Sequence, residues 1–107
     1  MKYWLYTLTP SRPTFPEGIT EAETAILHAH FAYWNRLSEQ GKAIVFGPVS
    51  HPRHDFGGVG FVELPDDEDP NALGTNDPWI VADVGFRFEV MAMPAAVIRP
   101  MNKAATA

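Results

Sequence analysis

Residues 20–40 constrain this chain more than any other stretch, because they read as one long helix that stops at Gly41 and runs straight into the apolar segment 43–49. Taking Ile26 as the reference and turning about 100° per residue, Leu37, Tyr33, Ala29, Ala22, Trp34 and Leu27 all fall within about 100° of it, a broad apolar face. Thr20 with Glu23 three residues on is a capping-box sequence, and Gly41 supplies a left-handed stop. A histidine stands where a leucine is expected. His30 falls about 40° from Ile26, inside the apolar face, whereas His28 falls about 200° round, among polar groups. His28 is therefore expected in solvent and His30 pointing inward. Two readings of His30 stand: a core histidine bonded to a backbone carbonyl, or a group able to exchange a proton near neutral pH.

Residues 2–9 are rich in aromatic and β-branched side chains, with Tyr3 and Leu5 on one side and Trp4, Tyr6 and Leu8 on the other. A strand covered on both faces belongs in the middle of a sheet. Pro10, Pro13, Pro16 and Gly18 make residues 10–19 a loop, placed to border a pocket. Residues 43–49 and 59–64 read as strands of a hairpin with a long tip, the first broken by Gly47-Pro48. Residues 65–76 encode at most a short, weak helix. Asp77-Pro78 fits a cap followed by the first helical position. The last strand, residues 86–93, puts Phe86, Phe88 and Val90 on one face and Arg87, Glu89, Met91 and Met93 on the other, a mixed face that suggests an interface.

The order strand, helix, strand, strand, weak helix, strand fits a ferredoxin-like βαββαβ α+β layer, an antiparallel sheet with its helices on one face. Residues 1–93 are expected to form a single domain and 94–107 a C-terminal tail. Nothing in that tail can cover the sheet's other face, so two sheets packed face to face in a homodimer are expected.

Composition narrows the partners. A net charge of −5 without a basic cluster argues against nucleic acid and against an anionic membrane. No apolar run approaches bilayer length, and the first ten residues lack the layout of a signal peptide, so a cytoplasmic location is expected. Without cysteine there is no thiolate nucleophile and no Cys-ligated zinc. His51, His54 and Asp55 form an H-x-x-H-D cluster that could offer ligands to a divalent metal; a hydrated loop explains them as well, and no metal and no cofactor are expected. Arg53 in the same loop could hold a substrate carboxylate or phenolate. Trp34, on the flank of His30's face, is a candidate pocket wall for a small-molecule ligand, and a core role fits it too.

The run HFAYWNRLSEQGKAIVFGPVS from His30, the glycine pair at 57 and 58, and DPWIVADVGFRFEV from Asp77 together resemble the YciI-like (YCII-related) family. The resemblance spans the chain from Tyr3 to about Met93. It implies a dimeric α+β barrel with a His-Asp acid/base pair in a pocket, carried over as His30 and Asp77. The reaction class it implies is proton transfer on a small cyclic, often phenolic or quinoid, compound, of lyase or isomerase type. The chain departs from the family pattern in its weak second helix and in residues 94–100. A carboxylate on one ring nitrogen of His30 would fix the tautomer and stabilise the imidazolium. Asp77 also has an ordinary employment as a helix cap. A catalytic reading and a non-catalytic, dimeric ligand-binding module both remain open from the sequence.

Overall fold

The computed structural model describes residues 1–50 and 57–100. Strand β1 (Lys2–Thr9) leads through a loop to helix α1 (Glu21–Glu39), then β2 (Ala43–Gly47), β3 (Gly58–Leu64), two short helices, α2 (Asn71–Thr75) and α3 (Pro78–Val81), and β4 (Arg87–Ala92). The strands form one antiparallel sheet in the order β2-β3-β1-β4. This is the ferredoxin-like α+β arrangement, with its helices on one face. β1 lies between β3 and β4, as its two apolar faces require.

Register decides which side chains share a face. Trp4 pairs with Val62 and Ala92, Tyr6 with Gly60 and Val90, Leu8 with Gly58 and Phe88. That face carries the core: Tyr6, Leu8, Val62 and Leu64 are buried from the sheet, Trp34 and Leu37 from α1, Trp79 from α3. The opposite face presents one apolar rung across all four strands, Val45 beside Phe61, Phe61 beside Leu5, Leu5 beside Met91. Three of its members remain 57% (Val45), 37% (Phe61) and 40% (Met91) exposed.

The glycines of β3 serve the shape of the core. A Cβ at Gly60 would stand 2.6 Å from the Phe46 ring and one at Gly58 2.7 Å from it, so any side chain there would displace that ring. With both positions bare, Phe46 lies across β3 and stacks on Trp34 at 4.2 Å between centroids. Gly74 in α2 has the same task beneath Phe88, whose ring occupies the place a Cβ would take.

α1 begins as its sequence indicates. The Glu23 amide donates to Thr20 Oγ1 at 3.1 Å, the Thr20 amide donates to Glu23 Oε1 at 2.9 Å, and Gly41 takes φ 79° after the last turn. Its buried stripe is narrower than the periodicity suggests, because Ala22 and Ala29 stay exposed. The return crossover supplies only helices of five and four residues, too short to cover the whole of α1. The weak helix expected over residues 65–76 is thus a single turn, followed by a second turn capped by Asp77. Among the described residues, no helix is long and apolar enough to cross a membrane.

Candidate active site

Asp77 sits at the N-cap of α3 in extended conformation, φ −63° and ψ 130°, followed by Pro78. Its Oδ1 accepts the amide proton of Trp79 at 3.0 Å. An ionised carboxylate accepts on both oxygens, and the remaining lone pairs face α1 and β1. Trp34 Nε1 donates to Oδ2 at 2.8 Å, the Tyr6 hydroxyl donates to Oδ2 at 3.2 Å, and His30 Nδ1 lies 2.9 Å from Oδ1 and 3.1 Å from Oδ2. His30 and Trp34 are four residues apart on α1, which brings both to the same side of the helix. Asp77 is 0% and His30 3% exposed.

Because the carboxylate only accepts, the partners assign the proton of a neutral His30 ring to Nδ1. Nε2 is left with a lone pair, and among the described residues it makes no hydrogen bond. Burial, then the charge of Asp77, pushes the Tyr6 phenol far upward, so Tyr6 stays a neutral donor. Tyr33, whose hydroxyl donates to the Leu73 carbonyl at 2.8 Å, is pushed up to about 12 by burial and by Asp77, with Arg36 opposing.

His30 lines a cavity of about 270 Å³. Its other described walls are almost wholly apolar: Leu8 from β1, Leu27 and Phe31 from α1, Phe46 from β2 with Pro48 just after it, Trp79 from α3, Phe86, and Phe15 and Pro16 from the loop. Phe46 meets the His30 ring edge-on at 5.2 Å. A larger hollow of about 490 Å³ lies at the other end of the sheet, around Met1–Trp4 and 92–96, with neither histidine nor carboxylate in its described lining. Of the two, the smaller has a histidine in its described lining.

The loop of residues 10–19 forms one wall, and Arg12 ties it to α1. Arg12 donates to both carboxylate oxygens of Glu23, at 2.8 and 3.3 Å, and to the Glu17 carbonyl at 3.0 Å, and its guanidinium stands 5.3 Å from the Phe15 ring centre. Phe15 in turn packs edge-on against Trp79 and Phe86 at 5.5 and 5.2 Å. Arg12 first, then the Thr20 amide, holds the Glu23 carboxyl down from its ordinary 4.5 to about 2. A carboxyl depressed in the folded state adds stability above its unfolded value, and that contribution is lost as pH falls through the folded one. The parent should therefore lose melting temperature more steeply than Arg12→Ala between about pH 4.5 and about pH 2. Parallel slopes in that window would show that Arg12 does not anchor the loop.

Of the residues singled out from sequence, His30, Asp77 and Trp34 meet at one carboxylate. Trp34 is absent from the described lining of the His30 cavity; its ring stacks on Phe46 and its N–H turns to Asp77. Arg53, with His51, His54 and Asp55, lies outside the described residues. Among the described residues, no group of three or more His, Asp or Glu could hold a metal. His28 is exposed. Sequence reasoning missed Tyr6, although a phenol on a buried strand face needs a hydrogen-bond partner, and that was the available signal. Phe46 was missed as well, because only the fold shows what the β3 glycines make room for.

Compared with known proteins, residues 1–94 match the YCII-related domain. No match to a curated protein was found. Among solved structures, the chain is similar to a 5-chloro-2-hydroxyhydroquinone dehydrochlorinase from Burkholderia phenoliruptrix, solved in complex with 2,5-dihydroxybenzoquinone. The TM-score is 0.52 and the identity 23%, over 83% of this chain and 91% of that one. A formyltetrahydrofolate deformylase from Pseudomonas putida aligns at TM-score 0.43 and 15% identity, over 87% of this chain but 29% of its own length. The first likeness shows the fold.

Proposed function

Because this chain belongs to the YCII-related domain family, we propose that it is an acid/base enzyme of lyase or isomerase type acting on a small cyclic or phenolic compound. His30 exchanges the proton and Asp77 orients it. The observation that carries this reading is the anchoring of His30 through Nδ1 on a buried carboxylate, which leaves Nε2 as the acceptor on a residue that lines a cavity. A core histidine would need only a carbonyl. The dehydrochlorinase of the same fold was solved with a hydroxylated one-ring compound. A cavity of about 270 Å³ suits one ring, since pockets for drug-sized ligands start at about 300 Å³.

In the proposed reaction Nε2 removes a proton from a ring hydroxyl or an acidic ring carbon, and the imidazolium that forms is stabilised by the charge on Asp77. The electron pair left behind moves into the ring. There it either expels a leaving group, completing an elimination, or is reprotonated at another carbon by the same imidazolium, completing an isomerisation. Burial of both groups away from solvent strengthens the attraction between Asp77 and the charged ring. Arg53 is proposed to pair with an anionic substituent of the substrate.

A thermal-shift screen against single-ring phenols, quinones, lactones and carboxylic acids tests the reading. A ligand at about 100 times its dissociation constant should stabilise by about 2.7 kcal/mol, and hits should then be consumed on incubation. Hits that bind and persist unchanged would favour a non-catalytic ligand-binding module. We also propose a homodimer, supported by the apolar rung of Val45, Phe61, Leu5 and Met91, three of whose members are exposed, with two sheets face to face as in a dimeric α+β barrel. Such an interface should bury more than about 1,000 Å². Light scattering that gives a monomer mass at micromolar concentration would remove it.

A further inference from the structure

We infer that Tyr6 and Trp34 are positioning residues of this site, which act through Asp77 to fix the His30 ring with its proton on Nδ1. The inference rests on the acid/base reading above and assigns two further members to the same site. Neither side chain is in the described lining of the cavity, so neither is placed to touch a ligand there. What both do touch is Asp77 Oδ2, at 3.2 Å from the Tyr6 hydroxyl and 2.8 Å from the Trp34 indole nitrogen.

The geometry explains why one anchor is insufficient. The Trp79 amide holds Oδ1 at 3.0 Å, but a carboxylate pinned by one oxygen can still turn about its last bond. Donors on Oδ2 stop that rotation and keep the carboxylate facing Nδ1. Both are suited to the task, since an indole N–H only donates, and a phenol kept neutral beside a carboxylate donates to it. With the carboxylate free to turn, the neutral imidazole could carry its proton on Nε2 instead, and the acceptor that the acid/base reading needs there would be lost.

The test uses the full chain labelled with ¹⁵N in its histidines, without substrate. At a pH where the ring is neutral, the imidazole nitrogen resonances report the share of each tautomer. The parent should show His30 almost wholly as Nδ1–H. In Tyr6→Phe and in Trp34→Phe the Nε2–H share should rise about fivefold, the factor that corresponds to one ordinary hydrogen bond. His28, exposed on the far side of α1, serves as the internal control and should not change. Tyr6→Phe retains the ring that stacks on Phe88 at 5.8 Å and leans on Trp34 at 4.8 Å, so it is expected to fold. If Trp34→Phe does not fold, Tyr6→Phe decides alone. A purely structural role predicts a lower melting temperature with the His30 tautomer unmoved, and that result in the folded variants overturns the inference. The two proposals fail separately. Turnover that survives His30→Gln removes the acid/base reading and leaves the tautomer result standing, whereas an unmoved tautomer removes the positioning roles alone.

Discussion

Replacing His30 with Gln is expected to remove about two to four orders of magnitude in turnover while leaving the fold in place, the usual share of a positioned proton-transfer group. Gln can still offer an amide proton to Asp77, so the buried carboxylate keeps a donor. It cannot take up and release a proton, because an amide does not titrate in this range. Stability and activity should therefore separate. His28→Gln, on the solvent side of the same helix, should change neither. A structural histidine predicts the reverse: a loss of about 1 to 3 kcal/mol through an unsatisfied buried group, with any loss of activity following from unfolding. Once a substrate is in hand, a well-folded His30→Gln protein that turns over like the parent ends the acid/base reading.

Asp77→Ala is expected to be the most damaging single change to stability, at about 3 to 5 kcal/mol. It strands the indole N–H of Trp34, the hydroxyl of Tyr6 and the amide of Trp79 at a site that is 0% exposed, and removes the partner of His30. For a chain of this size 1 kcal/mol moves the melting temperature by about 4 to 8 °C, so the drop should exceed about 10 °C. Considered only as a helix cap, Asp77 should accept Asn with little loss. The surroundings say otherwise. An amide has one oxygen and one NH₂, and whichever way it is turned the NH₂ meets a donor, Trp34 on one side or the Trp79 amide on the other. Asp77→Asn should thus cost about 1 to 3 kcal/mol and, where folded, lower activity. Its effect on activity should overlap with that of His30→Gln, the double variant losing little beyond the worse single one. Thermal and urea denaturation measure both changes. An Asp77→Ala protein that melts within about 2 °C of the parent would show that these donors find water or one another instead.

The fold class was legible in the sequence because its signals are local. β1 carries large apolar side chains on both sides, and that alone places it inside the sheet. Thr20, Glu23 and Gly41 mark the ends of α1 through contacts made within a turn. His30 could be placed inward by counting about 100° per residue. What periodicity could not show is the convergence on Asp77, because its donors come from β1, α1 and α3 and meet only when the layers close. For the same reason the angle that put Trp34 on the flank of the apolar face could not say which way its N–H turns. The exposed alanines of α1 misled the count, since a helical wheel records what a helix could bury and not how much chain is available to bury it.

Asp77 also sets how tightly the site is tied to its most fragile element. A helix of four residues has no stability of its own. α3 keeps its shape because its cap is gripped from β1 and α1. Any fluctuation that unwinds this turn must release the carboxylate, and any that frees the carboxylate loosens the turn, so the two open as one local unit. The Trp79 amide proton sits at that junction, and its exchange with solvent deuterium times the opening of the site directly. A ligand that braces His30 should slow this one clock by more than it slows the amides of the outer strand β2.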